Sequence, residues 1–261
     1  MSALHPISSY IKHKLFEINA HSLHSPSLYQ LYQECFDDAR QQAGDPVIEG
    51  LRAAFRKDER TLSVDDLGAG SRISGNPVRT VRSIARGGIT RHKYSRLFQH
   101  LIRYFDHRTI VELGTALGIN TLYLAASDPE VKVWTFEAWH AVSEIARKAF
   151  NEAGYHNITI LHGNIDATLP EFLGKGTLVD FAFIDANHTY AATMAYFEQL
   201  QKNLSARAVV VIDDINWSWE MTRAWHEITS MAEKATCIDI YQCGILLFDD
   251  KIQPGKLRFE Y

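Results

Sequence analysis

The stretch TIVELGTALGIN (residues 109–120) indicates the fold. It is a short apolar segment followed directly by a glycine-containing turn and the start of a helical segment. Further apolar β-type runs follow it, each separated by a loop or a helix-length amphipathic run. The strand candidates are 109–113, 131–137, 157–162, 178–185, 208–213, 235–241 and 244–249, with helix candidates near 118–127, 141–153, 190–203 and 218–233. Nearly continuous apolar strands alternating with helices predict a parallel sheet covered by helices.

The last two strand candidates have only Gln242-Cys243 between them, which is too short for a crossover helix, so we expect them to pair antiparallel. The predicted fold class is therefore α/β, with a doubly wound, mostly parallel seven-stranded sheet in residues 108–261. Residues 1–107 contain several helical runs and are expected to form an amino-terminal cap. Within them, residues 63–77 (SVDDLGAGSRISGNP) are predicted to be a loop.

Composition is that of a soluble globular protein, with 46% hydrophobic and 22% charged residues among 261. The three cysteines are sparse and lack metal-site spacing, which argues against a disulfide scaffold or a zinc ribbon and favours a reducing compartment. Charged residues interrupt every apolar run before it reaches membrane-spanning length, and the first twenty residues do not have a signal-peptide pattern. We expect a cytoplasmic protein without a membrane partner.

Charge is distributed unevenly along the chain. Residues 1–107 carry 15 basic and 11 acidic side chains, whereas residues 108–261 carry 12 and 20. The stretch from Leu67 to Phe105 has eight basic residues and no acidic one: Arg72, Arg79, Arg82, Arg86, Arg91, Lys93, Arg96 and Arg103. Such a run serves either as an anion or nucleic-acid footprint or as a solvated helix face. The pI near 6.3 argues against broad nucleic-acid binding.

Ligands of such sheets bind outside the carboxyl ends of the strands, so the loop after each strand matters most. The first strand leads into Glu112, Gly114 and Gly118, a G-x-x-x-G spacing that differs from the dinucleotide pattern G-x-G-x-x-G. An acidic residue beside this loop would repel a phosphate but suits a cation. The spacing therefore disfavours an NAD-dependent oxidoreductase.

The next strand ends carry groups that suit a nucleoside. Glu137 ends the second strand, where a carboxylate can accept both hydroxyls of a ribose. Asn164 follows the third strand, where an amide can reach an adenine edge, and Asp185 ends the fourth. A ligand with a ribose, a base and a positive charge but no phosphate is S-adenosylmethionine (SAM).

Residues 108–249 resemble the class I SAM-dependent methyltransferases. The segments that carry the resemblance are VELGTALG (111–118), Glu137 and HGN (162–164), although the family usually has Asp in place of Asn164. The segments AFIDANHTY (182–190) and VVVIDDINWS (209–218) resemble the family-24 branch, related to catechol-type O-methyltransferases. Three further segments resemble unassigned bacterial members of that branch: HSPSLYQLY (24–32), GAGSR (68–72) and DDINWSWEMTRAW (213–225). The implied cofactor contacts are Glu112, Gly114, Gly118, Glu137, Asn164 and Asp185.

Two features suit the chemistry of methyl transfer. His188, three residues after Asp185, can take a proton from a hydroxyl, or it can cap the following helix. Asp185, Asp213 and Asp214 end neighbouring strands and offer the oxygen ligands of a Mg²⁺ site. Catechol-type enzymes resemble this set with Asp, Asp and Asn, so Asp214 departs from the pattern. The alternative is cofactor contact by Asp185 and loop capping by the other two.

The sequence thus predicts a SAM-dependent methyltransferase that acts on oxygen of a small-molecule acceptor, with His188 and Asp185 as candidate catalytic residues and Mg²⁺ as a candidate second cofactor. Trp217, Trp219 and Trp225 are candidates for walls of an acceptor pocket or for core positions. Two alternatives stay open: an RNA methyltransferase that uses residues 67–105, and a non-catalytic SAM-binding protein. A homodimer is also left open.

Overall fold

The computed structural model describes residues 4–63 and 78–261. The α-helices in this part of the chain are α1 (Leu4–Phe16), α2 (Pro26–Leu31), α3 (Asp38–Gln41), α4 (Pro46–Phe55), α5 (Val81–Gly87), α6 (His92–Tyr104), α7 (Ile119–Ala125), α8 (His140–Glu152), α9 (Ile165–Leu173), α10 (Tyr190–Gln201) and α11 (Trp219–Met231). The strands are β1 (Thr61–Ser63), β2 (Val78–Thr80), β3 (Thr109–Leu113), β4 (Lys132–Glu137), β5 (Ile158–His162), β6 (Val179–Ile184), β7 (Leu204–Asp213), β8 (Thr236–Asp239), β9 (Cys243–Leu247) and β10 (Gly255–Arg258). In the described ranges, none of these helices has the length and apolar character needed to cross a bilayer.

The chain forms two compact units. The terminal unit combines the amino-terminal segment up to Asp37 with Gly176–Tyr261, and the central unit holds Asp38–Lys175. Helices α1 and α2 therefore belong to the terminal unit, whereas α3 to α6 belong to the central one. The proposed cap of residues 1–107 stays a prediction.

Strands of the central unit run parallel in the order β3-β4-β5. Most of their buried positions are apolar, and β3 is buried from Ile110 to Leu113. Helix α7 is buried along its whole length, and five of the seven residues of INTLYLA are aliphatic or aromatic. It packs in one core with side chains of α4, α5 and α8, among them Ile48, Val81 and Phe150.

Strands of the terminal unit lie in the order β10-β8-β9-β7-β6. The pairs β6–β7 and β8–β10 are parallel, and the pairs β7–β9 and β8–β9 are antiparallel. The predicted antiparallel pairing of the last two strand candidates is confirmed, as is the α/β class with a mostly parallel sheet. Strand β10 was not predicted, because GKLR is short and more polar than the other strands.

Strands β1 and β2 and helices α5 and α9 also escaped the pattern analysis. Helix α9 contains Pro170, which argues against a helix in sequence, yet Asn164 caps its first turn and four apolar side chains are buried. Helix α5 begins after a Thr80 cap within the basic stretch. The predicted loop at 63–77 lies outside the described residues except for Ser63, which ends β1.

Gly118 marks the point where the turn after β3 enters α7. Its φ of 77° is in the left-handed region, and a Cβ there would lie 2.4 Å from Phe150 Cε1 on α8. Glycine is thus required both by the backbone and by the close approach of an aromatic ring. Gly154 has the same φ of 77° but open space around its Cα.

We expect Gly118→Ala to lower the free energy of unfolding by about 2–5 kcal/mol, because left-handed strain and overpacking against Phe150 add together. The matched control, Gly154→Ala, has only the backbone strain and should cost about 1–2 kcal/mol. Urea denaturation of both variants measures the difference. Equal losses would show that Phe150 does not restrict residue 118.

Candidate functional site

The turn after β3 is fixed to β4 through its backbone. Gly114 and Thr115 both donate their N–H to the carbonyl oxygen of Phe136 at 3.1 Å. The hydroxyls of Thr115 and Thr135 are hydrogen-bonded at 2.6 Å. Gly114 itself has a φ of 104°, a conformation that favours glycine. The two predicted cofactor glycines therefore begin and end a turn whose shape is already set.

Glu112 anchors this turn from within the core. Its side chain is fully buried and accepts hydrogen bonds from Asn120 Nδ2 at 2.8 Å, Thr135 Oγ1 at 2.7 Å and the Thr121 hydroxyl. Burial raises the pKa of Glu112 to about 7, and the three donors partly offset this effect. With these partners it supports the turn, and its predicted contact with a cofactor stays a prediction.

Glu137 joins the turn after β3 to the loop after β4. Its Oε2 accepts the N–H of Ala116 at 3.0 Å, and its Oε1 accepts the N–H of Trp139 at 2.9 Å. Burial raises its pKa, while these backbone donors lower it. Each carboxylate oxygen can accept a second donor, so two hydroxyls of a ligand can still bind. This is the capacity that a ribose requires.

Asn164 ends the loop after β5 as the cap of α9, and its Oδ1 accepts the N–H of Asp166 at 3.0 Å. Because the side-chain oxygen caps the helix, the exposed amide NH₂ group can donate a hydrogen bond to a ligand. Its predicted adenine contact stays a prediction.

The sequence analysis missed Asn120. It is buried in the first turn of α7, and its Oδ1 has no hydrogen-bond partner among the described residues. A buried acceptor without a partner is costly unless a ligand satisfies it. The signal in the sequence was an asparagine two positions after Gly118 in a mostly apolar helix.

In the terminal unit, sheet register brings the other candidate residues together. Ile184 pairs with Ile212 across the parallel strands β6 and β7, so Asp185 and Asp213 leave the same edge of the sheet. Asp213 also pairs with Cys243 across the antiparallel pair β7–β9, which places Gln242 at this edge.

His188 lies between two carboxylates. Its Nε2 is 3.3 Å from Asp185 Oδ1, and its Nδ1 is 3.9 Å from Asp214 Oδ2. Burial lowers the pKa of His188, although the charge of Asp214 acts in the opposite direction. A neutral imidazole held by Asp185 through Nε2 keeps Nδ1 as a proton acceptor. The arrangement fits a general base.

Gln242, also missed by the sequence analysis, bridges the aspartate pair. Its Nε2 is 2.6 Å from Asp214 Oδ1 and 3.3 Å from Asp213 Oδ1. Burial and the neighbouring Asp214 raise the pKa of Asp213 to about 7. The Gln242 amide thus donates to two of the three carboxylates that were predicted to bind Mg²⁺. Across residues 4–63 and 78–261, no group of three or more His, Cys, Asp or Glu side chains has the geometry of a metal site.

Left-handed backbone conformations are concentrated in the loops that follow β3, β6 and β7. The non-glycine residues with positive φ in the described ranges are Asp106, Ala116, Asn187, His188, Asp214 and Tyr241. Ala116 follows β3, Asn187 and His188 follow β6, and Asp214 follows β7. Such strain persists where the surroundings hold it in place, which is common at functional sites.

The three tryptophans of the predicted pocket wall differ in their environments. Trp225 is buried and packs against Gly244, where a Cβ would lie 2.4 Å from its ring. It is a core residue. Trp217 and Trp219 are exposed, and Trp219 packs 4.2 Å from the ring of His5.

The known proteins that this chain resembles in sequence are methyltransferases. Residues 111–215 match the family model described as a methyltransferase domain. The chain is 28% identical to the O-methyltransferase imqG of Aspergillus flavus over 111 residues, which are 40% of this chain and 44% of that protein. It is 33% identical to the protein-L-isoaspartate O-methyltransferase of Methanococcoides burtonii over 72 residues, 27% of this chain and 36% of that protein. The chain thus spans less than half the length of the curated relatives it matches.

Among solved structures, the O-methyltransferase TomG of Streptomyces achromogenes, determined in complex with SAM, has a TM-score of 0.63 and 20% identity. The likeness covers 85% of this chain and 96% of TomG, and it concerns the fold. The resemblance predicted from the sequence motifs is confirmed by the family match and by this fold.

We expect the pKa of His188 to lie below the ordinary histidine value of about 6.5, since burial disfavours the imidazolium. Asp214→Asn removes the nearby negative charge and should lower the pKa of His188 further. NMR titration of the histidine ring nitrogens, assigned with His188→Gln, measures both values, with Asp166→Asn as a control. A pKa of His188 above 6.5, or one unchanged in Asp214→Asn, would contradict this electrostatic account.

Proposed function

We propose that this chain, which carries a methyltransferase domain of the class I SAM-dependent type at residues 111–215, transfers a methyl group from SAM to an oxygen atom of a small-molecule acceptor. The observation that carries the proposal is the carboxylate of Glu137, which is held by Ala116 and Trp139 with acceptor capacity to spare. SAM is the ligand class whose ribose, charge and lack of phosphate suit these residues.

The residues of the central unit fit SAM. Glu137 would receive the ribose hydroxyls, and the unpartnered Oδ1 of Asn120 suits an ammonium donor. The cofactor, when bound, supplies an activated methyl group on a sulfonium. The protein's own contribution is to orient the two reactants and to manage the proton of the acceptor.

His188 supports oxygen as the accepting atom. Its Nδ1 would take the proton of an acceptor hydroxyl as the oxygen attacks the methyl carbon, and Asp185 would hold the ring through Nε2. Asp214, near Nδ1, stabilises the imidazolium that results. Names of the curated relatives also favour oxygen, since both are O-methyltransferases.

The aspartate pair does not fit a cation as it stands, so no step is assigned to Mg²⁺. Gln242 acts instead as a positioning residue, because its amide links Asp213 to Asp214 and so restrains the carboxylate beside His188.

The RNA alternative depends on the basic stretch at Leu67–Phe105, but several of its arginines already bond within the protein. Arg96 is buried and donates to the carbonyl oxygen of Ala39, and Arg82 pairs with Glu59. Arg103 donates to the carbonyl oxygens of Ala126 and Ser127 at the end of α7. Arg72 lies outside the described residues. These bonds favour a structural role and a small-molecule acceptor.

Calorimetry with S-adenosylhomocysteine (SAH) tests the cofactor assignment. We expect saturable binding to the intact protein and an affinity about 10–100-fold lower in Glu137→Gln, since a charged acceptor of two hydroxyls is lost. Glu152→Gln, an exposed carboxylate on α8, is the matched control, and NAD is the control ligand. Equal SAH affinity in Glu137→Gln, or preference for NAD, would overturn the proposal. SAH binding without methyl transfer to any hydroxyl acceptor would favour the non-catalytic alternative.

Titration with Mn²⁺, followed by electron paramagnetic resonance, tests the account of the aspartate pair. We expect no saturable Mn²⁺ binding below about 1 mM, because a cation would have to displace the Gln242 amide from both carboxylates and an unsuited donor set binds weakly. SAH affinity should be unchanged by EDTA. Tight Mn²⁺ binding that is lost in Asp185→Asn would establish the metal site predicted from the sequence and refute the bridging role of Gln242.

A further inference from the structure

The connection between β6 and α10 contains a strained turn. It consists of residues 185–189. Asn187 and His188 have φ values of 63° and 37°, in the left-handed region that residues other than glycine seldom adopt. The N–H of His188 donates to the carbonyl oxygen of Ala186, two residues earlier, at 2.8 Å. A hydrogen bond of this span around a residue with positive φ is a γ-turn of the rare and strained kind.

The γ-turn brings the side chains of Asp185 and His188 together. Three residues of extended chain span about 10 Å. Asp185 Oδ1 nevertheless lies 3.3 Å from His188 Nε2, because the chain folds back between them at Asn187. Relaxing Asn187 to extended backbone would lengthen the connection and move the imidazole away from Asp185 and from Asp214.

This turn requires contacts that offset its strain. Left-handed backbone at a residue other than glycine costs about 1–3 kcal/mol, and two such residues follow each other here. After the turn, Thr189 caps α10, since its Oγ1 accepts the N–H of Ala192 at 3.3 Å. That bond fixes the chain where the helix begins, but it does not restrain Asn187. The restraint on Asn187 comes from further along the helix.

A buried hydroxyl of α10 holds the side chain of Asn187. Asn187 is exposed, and its Nδ2 donates to Oη of Tyr196, which is fully buried. Thr193, also fully buried on α10, donates its Oγ1–H to Met221 Sδ at 3.4 Å. This part of α10 is therefore fixed to α11, and Tyr196 gives an exposed loop residue an anchor in the core.

We propose that Tyr196 is a positioning residue for His188. Its hydroxyl holds the Asn187 amide, the amide holds the γ-turn, and the turn keeps the imidazole between Asp185 and Asp214. The inference rests on the proposed function, in which His188 takes the proton of the acceptor. A base has to be fixed relative to that proton, since a displacement of about 1 Å can lower a rate about 100-fold.

Amide hydrogen exchange, followed by NMR on the full chain, tests whether the hydroxyl holds the turn. Tyr196→Phe removes the hydroxyl and keeps the buried ring. We expect the N–H of His188 to exchange about tenfold faster than in the wild type, because losing a hydrogen bond of about 1.4 kcal/mol makes the open turn tenfold more populated. Unchanged exchange of this N–H in Tyr196→Phe would overturn the proposal.

Tyr32→Phe is the matched control. Tyr32 is also buried in the terminal unit, and its hydroxyl donates to the carbonyl oxygen of Glu260 at 3.4 Å. This variant loses the same group without touching the turn, so exchange of the His188 N–H should stay at the wild-type rate. Equal acceleration in both variants would show a general loss of stability and would also overturn the proposal. Cooperative thermal unfolding checks that each variant is folded.

The reactivity of the His188 ring provides a second readout. Diethyl pyrocarbonate modifies neutral imidazoles, and peptide mass spectrometry measures the rate at each histidine. At about pH 7.5 a histidine with a pKa of about 6.5 or below is neutral, so the rate reports access to the ring. We expect His188 to react up to about tenfold faster in Tyr196→Phe, relative to the exposed His162. A ratio equal to that of the wild type would contradict release of the ring.

A double variant tests the route through Asn187. Asn187→Ala removes the amide and should raise both rates at His188. Adding Tyr196→Phe should then have no further effect, because the hydroxyl has no amide left to hold. Additive effects would refute this route. Absence of SAH binding to the wild type would refute the proposed function and with it the role of His188 as a base, whereas an undisturbed His188 in Tyr196→Phe would refute the positioning role alone.

Discussion

The central unit depends on a carboxylate that has no access to water. Glu112 accepts hydrogen bonds from Thr135 on the neighbouring strand β4. It also accepts hydrogen bonds from Asn120 and Thr121 on the following helix α7. Removing any of these donors leaves a buried carboxyl group less satisfied, so β3, β4 and α7 are constrained together. Glu112 thus ties the residues on both sides of the turn from Gly114 to Gly118, while the N–H groups of Gly114 and Thr115 fix the turn itself to Phe136.

The loops after β3, β6 and β7 combine unfavourable backbone conformations with side-chain contacts that stabilise them. Ala116, His188 and Asp214 all adopt left-handed backbone without being glycine. Each is held by a specific contact: Ala116 donates to Glu137, His188 lies beside Asp185, and Asp214 accepts from Gln242. Conformations that cost free energy persist only when neighbouring groups over-determine them. Side chains with proposed chemical roles therefore also stabilise the backbone that presents them.

In the terminal unit, the neighbouring carboxylates Asp213 and Asp214 are stabilised by a hydrogen-bond donor from an adjacent strand connection. Two adjacent carboxylates repel each other, and burial raises the pKa of Asp213 to about 7. The amide of Gln242 donates to both, and its position comes from the antiparallel strand pair that follows Asp213. The carboxylates of Asp185 and Asp214, which follow β6 and β7 at this edge of the sheet, lie on either side of His188 and orient its ring.

The sequence by itself determined strands β3 to β9, their parallel or antiparallel sense and the residues at their ends, because apolar runs and the intervals between them follow from burial and chain length. TIVEL and the antiparallel end of the sheet are examples, and the ordered residues at successive strand ends indicated a resemblance to the class I methyltransferases. Helix α9 and strand β10 escaped, since a proline and a polar tetrapeptide obscure the periodic signal. Only the tertiary structure decided the partners of Glu112, the unpartnered Asn120 and the bridge from Gln242. These depend on side chains distant in sequence, and no local pattern encodes which polar group another will meet.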